Sequence, residues 1–227
     1  MPQNPLKVLF ITAELAPFST VGGLSQVSYF LPKALLKLGV DIRVLVPKYG
    51  TIDEKKYPLK TLVSGLKIPT GEQENSDKPK ELICNIKTLA TEKKTEPVVY
   101  FLENREYYEM RANVYGYSDD HIRFGLLSRA AMEYLKTSDF KPDIVHANDW
   151  HTGFLINYMR TDYRDNPVFK KIATLFSVHN LHQGNFDFAH ASDLDFDDGK
   201  SPLAGFYEDR FYKQNALSKI WHKFTSL

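Results

Sequence analysis

The chain has 227 residues, 43% of them hydrophobic, with 29 basic and 28 acidic side chains and a formal net charge of +1. That balance suits one soluble globular domain with a core of its own, and nothing in it suggests a surface for nucleic acid or membrane. A single cysteine, Cys84, cannot close an internal disulfide, and the apolar run VLFITA is too short to span a bilayer, so a reducing, cytoplasmic setting without a signal peptide is expected.

In chain order, KVLFITA (7–13) is a continuous β-rich run of the kind found in a strand buried on both faces. Leu24, Val27, Phe30, Leu31, Ala34, Leu35 and Leu38 then recur at helical spacing, with Pro32 expected to kink the helix or remove one bond and Gly39 placed to close it. VDIRVLVP (40–47) reads as the second strand, which makes the opening a strand–helix–strand unit of the sort that builds parallel sheets. Segments 59–69 and 81–90 predict two strands separated by the polar TGEQENSDKP, a hairpin or loop, and 96–104 predicts another strand.

Residues 118–136 predict a helix with Ser118 as its N-cap and two acids in its first turn. KPDIVHAND predicts a strand ending near His146, HTGFLINYMRTDY a helix, and KKIATLFSVHN a strand ending near Val178. An acidic, loop-like stretch (186–205) and a terminal helix (211–227) complete the expectation. The alternation predicts the α/β class, with a Rossmann-like, doubly wound and mostly parallel sheet.

In such a sheet, ligands bind beyond the carboxyl ends of the strands. Three clusters fall there: 14–24, 146–151 and 179–184. Gly22 and Gly23 have two readings, a loop whose backbone amides grip a phosphate or an ordinary tight strand–helix turn. In HANDWH (146–151), Asp149 is placed either to accept sugar hydroxyls beside Trp150 or, with Asn148, to cap the next helix while Trp150 joins the core. His179 stands at a strand end, as a hydrogen-bonded structural residue or as part of a site. His146 and His151 lack the spacing of a zinc site, no Gly-x-Ser-x-Gly elbow exists, and the first strand is not followed by Gly-x-Gly-x-x-Gly.

Four stretches, KVLFITAELAPFSTVGGLSQVSYFLPKAL, VYGYSDDHIRFGLLSRAAME, KPDIVHANDWHTGFL and TLFSVHNLHQGNF, are collinear with one family over nearly the whole chain. They resemble the N-terminal domain of bacterial glycogen synthases and plant-type starch synthases, retaining glycosyltransferases of the two-domain GT-B fold. The resemblance implies that residues 1–227 are the acceptor-side, Rossmann-like half, without the C-terminal donor-binding domain. It implies glucosyl transfer from ADP-glucose or UDP-glucose to the non-reducing end of an α-1,4-glucan, with no metal and no cofactor. Asp149 and His179 match the residues at the transferred glucose, the catalytic pair. Thr20, Gly22, Gly23, Glu14, Asn180, Gln183 and Tyr117 match substrate-binding positions. A separate C-terminal domain is the implied partner, since in the family that domain supplies an Arg and a Lys for the diphosphate.

The chain departs from the family at Thr20, where the pattern has Lys, and at Gln26, where it has Asp; its histidine loop is also one residue shorter. An ammonium lost from beside a diphosphate removes a charge-assisted contact of about 1.5–3 kcal/mol. Two other readings stand beside this one: a non-catalytic glucan- or nucleotide-sugar-binding half, as of a split enzyme, and a plain Rossmann-like cofactor binder.

Overall fold

The computed structural model describes residues 4–70, 79–91 and 93–180. Within them, β1 (Lys7–Ile11), β2 (Asp41–Pro47), β3 (Leu59–Pro69), β4 (Glu81–Leu89), β5 (Val98–Glu103), β6 (Ile144–Asn148) and β7 (Ala173–Ser177) form one sheet in the order β3-β4-β5-β2-β1-β6-β7. Pairing is parallel from β5 through β2, β1 and β6 to β7. It is antiparallel where β4 meets β5 and β3. The sheet is therefore the mostly parallel α/β sheet expected, with an antiparallel hairpin on one edge.

Helices α1 (Gly23–Lys37), α2 (Asp120–Thr137) and α3 (Gly153–Arg160) cover its faces. Alternate residues of β1 enter separate cores. Val8 and Phe10 pack with Ile42, Val44 and the partly buried Leu31 and Leu35 of α1, whereas Leu9 and Ile11 pack with Phe124, Leu127 and Ala131 of α2 and Leu155 of α3. A strand buried on both faces cannot alternate apolar with polar residues, which is why KVLFI reads as an unbroken run. Helix α1 continues without interruption past Pro32, and Gly39, at φ +88°, follows it in the left-handed conformation that a helix terminator adopts.

Several boundaries differ from the expectation. The β1 strand stops at Ile11, not at residue 13, because 12–19 fold into a turn: the Leu15 amide donates to Ser19 O, and the Tyr49 hydroxyl to Ala13 O. Ser118 is not the N-cap of α2. That position belongs to Asp119, whose side chain makes no capping bond. His146 lies inside β6 and does not end it, and a 3-10 turn, Trp150–Thr152, precedes α3. Helix α2 is buried along nearly its whole length from Asp120 to Leu135, packed against the sheet and against α3. The polar connection 71–78 and everything after Asn180, including the expected acidic stretch and terminal helix, lie outside the described residues.

Candidate active site

Strand order reverses at β1: the chain leaves it first towards β2 and later returns on its other side as β6. Loops leaving the carboxyl ends of such a pair diverge to opposite faces and open a crevice between them. The crevice is present, a cleft of about 370 Å³. The turn after β1 lines it with Glu14, Gly22 and Gly23, the turn after β6 with Asp149, Trp150 and His151, and the loop after β7 with Asn180. A fourth wall, residues 115–118 with Asp120, comes from the segment leading into α2.

Each wall loop is pinned by one carboxylate. Glu14 is almost wholly buried, and its Oε2 accepts from the backbone amides of Val21 (2.9 Å) and Gly22 (2.8 Å). Asp120 Oδ2 accepts from the amides of Gly116 (2.6 Å) and Tyr117 (3.1 Å), while its Oδ1 takes Nη1 of the fully buried Arg123 at 2.6 Å. Asp149 accepts from the Asn180 amide at 3.2 Å and from Asn180 Nδ2 at 3.0 Å, which ties the loop after β6 to the loop after β7. Tyr115 hydrogen-bonds to Glu14; burial, then the charges of Glu14 and Asp149, push its hydroxyl up to about 12.

Asp149 carries the clearest mark of constraint. Its backbone sits at φ 63°, ψ 177°, a region used almost solely by glycine and costing on the order of 1–3 kcal/mol. The amide donates to Ser177 O (2.8 Å), and the carbonyl accepts from the Thr152 amide (3.1 Å) and hydroxyl (3.2 Å), so the conformation is held from both sides. Its carboxylate makes no capping bond to the following turn. The capping alternative for Asp149 therefore fails, and Asn148 does not cap either, since its amide group binds Ile11 O and His146 O. Trp150 does pack: its ring stacks on His151 at 3.7 Å and meets the edge of Phe124 at 5.3 Å, while the residue also lines the cleft.

His179 stands one step behind the wall. Its Nε2 lies 3.2 Å from Asn148 Oδ1. Because Asn148 Nδ2 is committed as a donor to two carbonyls, Oδ1 must accept, so Nε2 carries the proton and Nδ1 is an acceptor in the neutral ring. His146 is structural: its Nε2 pairs with Ser177 Oγ at 2.8 Å, its ring meets Phe10 edge-on, and burial lowers its pKa to about 4.

Of the residues singled out in the sequence, Glu14, Gly22, Gly23, Tyr117, Asp149 and Asn180 meet in the cleft. Thr20 is exposed and not on its wall, His179 adjoins it through Asn148, and Gln183 lies outside the described residues. A Cβ at Gly22 or Gly23 meets no atom within 4 Å, and Gly22 is in ordinary extended conformation, so neither crowding nor backbone geometry within the chain calls for glycine there. Sequence reasoning gave no site role to Tyr115, although it lies in the stretch VYGYSDD; the resemblance put Tyr117 to Phe124, and so Asp120, at a helix start by the cleft without a role for the Asp120 carboxylate.

Comparison with known proteins places the chain in a family. The family profile described as "Starch synthase catalytic domain" matches residues 7–220. A glycogen synthase of Caldicellulosiruptor saccharolyticus is 39% identical over 202 residues, covering 86% of this chain and 40% of the relative. One of Anoxybacillus flavithermus is 36% identical over 190 residues, covering 83% and 37%. The chain thus spans about 40% of the length of the curated relatives it matches. Among solved structures, the catalytic domain of starch synthase IV from Arabidopsis thaliana, bound to ADP and acarbose, superposes with a TM-score of 0.77 at 25% identity, covering 96% of this chain and 43% of that one. The chain belongs to the starch synthase catalytic domain family.

Proposed function

We propose that this domain is the N-terminal half of a two-domain glucosyltransferase, and that its cleft receives the glucose of ADP-glucose or UDP-glucose for transfer to the non-reducing end of an α-1,4-glucan. One observation carries the reading: loops from three separate strands converge at the switch point on a wall of carboxylates, amides and aromatic rings, the surface chemistry that suits a polyhydroxylated ring. A carboxylate keeps free lone pairs after two hydrogen bonds, so Asp149 can still accept from sugar hydroxyls. Asp149 and Asn180 would orient the glucose directly, and His179 would act from behind them, steadying Asn148 next to Asp149. Gly22 and Gly23 would face the diphosphate, with open space where side chains are missing.

The chemistry is departure of a diphosphate from an oxocarbenium-like centre, helped mainly by positioning and by charge aimed at the leaving group. No Lys or Arg lines the described cleft. This fits a division of labour in which the partner domain supplies the cations and this domain grips the sugar. The half exposed Val21, at 54% on the glycine loop, is in keeping with a face that meets such a mate. A reducing, cytoplasmic setting belongs to the same proposal. It is supported by Cys84, a free thiol that burial pushes up to about 12, and among the described residues no helix is long and apolar enough to cross a membrane.

The test is incorporation of labelled glucose into glycogen from ADP-glucose and from UDP-glucose. It is run with the chain alone and with the C-terminal domain of a homologous glycogen synthase added in trans. Transfer only in the combined sample is expected. Glucan binding without transfer in either sample would favour the non-catalytic reading, and neither binding nor transfer would refute the assignment.

A further inference from the structure

We propose that Glu14 is a tethered anion filling the amide pair of the glycine loop, so that a phosphate seats on Val21 and Gly22 only after Glu14 has left them. Resemblance alone lists Glu14 with the substrate-binding residues. The geometry gives it a different task, that of a specificity-determining residue acting through the loop.

Two successive backbone N–H groups converge on the single atom Oε2 at 2.9 and 2.8 Å. Convergent amides of this kind at a helix start are what a protein offers a phosphate oxygen. Here the seat is taken from within. Helix α1 has no acid in its first turn and no side-chain cap, so the carboxylate balancing its positive end comes from Glu14, across the turn. The Glu14 side chain is held in place by these two amides, and the residue is only 2% exposed.

A phosphate oxygen and the Glu14 carboxylate cannot share that seat, because both are anionic acceptors and the amides supply one donor each. Among the described lining residues no lysine or arginine offsets a second negative charge, and Thr20, in the same turn, is neutral. A sugar hydroxyl meets no such conflict. In the free domain the cleft therefore favours a neutral polyol over a diphosphate, and the loop becomes a phosphate seat when Glu14 swings out. The inference rests on the preceding section only in taking this cleft as the one that binds ligand.

The experiment uses the full chain as wild type, Glu14→Gln and Glu14→Ala, titrated with inorganic pyrophosphate by calorimetry and by amide NMR. In the wild type, the Val21 and Gly22 amides should be protected from solvent exchange, with signals unmoved by pyrophosphate. Both variants should bind pyrophosphate at least about tenfold more tightly, the scale of one charge-assisted hydrogen bond, and those two signals should shift. Unchanged or weaker binding in the variants, or unprotected amides in the wild type, overturns the proposal. If neither variant folds, the wild type decides: amides that move with pyrophosphate refute it, and protected, unmoved ones uphold it. A tenfold gain in a chain that binds neither nucleotide sugar nor glucan would defeat the functional assignment while leaving this inference standing.

Discussion

Along the carboxyl edge of the sheet, two groups of three carboxylates are satisfied in opposite ways. Glu54, Glu103 and Glu109 bring their oxygens within 4.8 Å of one another, close enough to suggest a cation site. Two ammonium groups are already there. Lys48 Nζ lies 2.6 Å from Glu54 and 2.5 Å from Glu109, and Lys87 Nζ lies 2.5 Å from Glu103 and 3.7 Å from Glu54. Lys48 holds the Glu54 carboxyl below its usual range. In the cleft, by contrast, Glu14 and Asp149 are held by amides, and among the described residues only Asp120 of the three has a cation behind it. Ammonium partners cancel charge and close a cluster into a structural brace. Neutral donors fix a carboxylate in place while leaving its charge and spare lone pairs to face a ligand. The partner, not the residue type, separates a brace from a site.

The largest effect should come from breaking the cleft group. Asp149→Ala removes the tie to Asn180 and should lower glucosyl transfer, assayed with the complementary domain present, by about 100-fold or more. Asp149→Gly should lose transfer equally but tolerate the backbone conformation. Urea unfolding should find it more stable than the alanine variant by about 1–3 kcal/mol. Equal stabilities would show that no strain is stored at this position.

The brace is probed next through Gly50. A Cβ there would lie 2.0 Å from the carbonyl oxygen of Glu109, which ends the short π-helical turn Arg105–Glu109. Because the obstacle is backbone, Gly50→Ala must push that turn away from Lys48. A loss of about 2–3 kcal/mol is expected in thermal or urea unfolding, with maltose binding by the folded fraction unaltered. Lys48→Met acts on the same brace by removing charge. It should cost about 1–2 kcal/mol, less than a fully buried pair would, since Glu54 and Glu109 are partly exposed. Adding Glu109→Gln should recover part of that loss. A brace variant that abolished sugar binding while still folded would erase the distinction drawn between the two groups.

Much of the frame was readable before any coordinates. Unbroken apolar runs marked the strands of the parallel core, and KVLFI behaves as such a run must when both faces are covered. The rim positions of Gly22 and Asp149 followed from strand ends alone. The wiring was not readable. Ser118 looks like a cap by residue type, yet Asp120 turns back to take the Gly116 and Tyr117 amides, a bond that depends on the turn before α2 and on Arg123 behind it. Nor does any local pattern reveal that Glu14 reaches seven residues ahead to Val21, or that Asp149 adopts a glycine-like backbone. Periodicity reports burial. It carries no information on which of several acceptors a particular amide will choose.

The smallest expected effect concerns Thr20, where a lysine would add a positive charge to the glycine loop. A charge-assisted contact to a diphosphate is worth about 1.5–3 kcal/mol when shielded from water. Thr20, however, is exposed and off the cleft wall, so solvent and salt should screen most of that gain. Thr20→Lys should therefore tighten ADP binding by no more than about fivefold, roughly 1 kcal/mol, at low ionic strength, and the gain should fade in high salt. Calorimetry at two salt concentrations measures both quantities. A large, salt-insensitive gain would mean that the new ammonium reaches a buried phosphate seat, which would place position 20 inside the site and bring a cation into the cleft group.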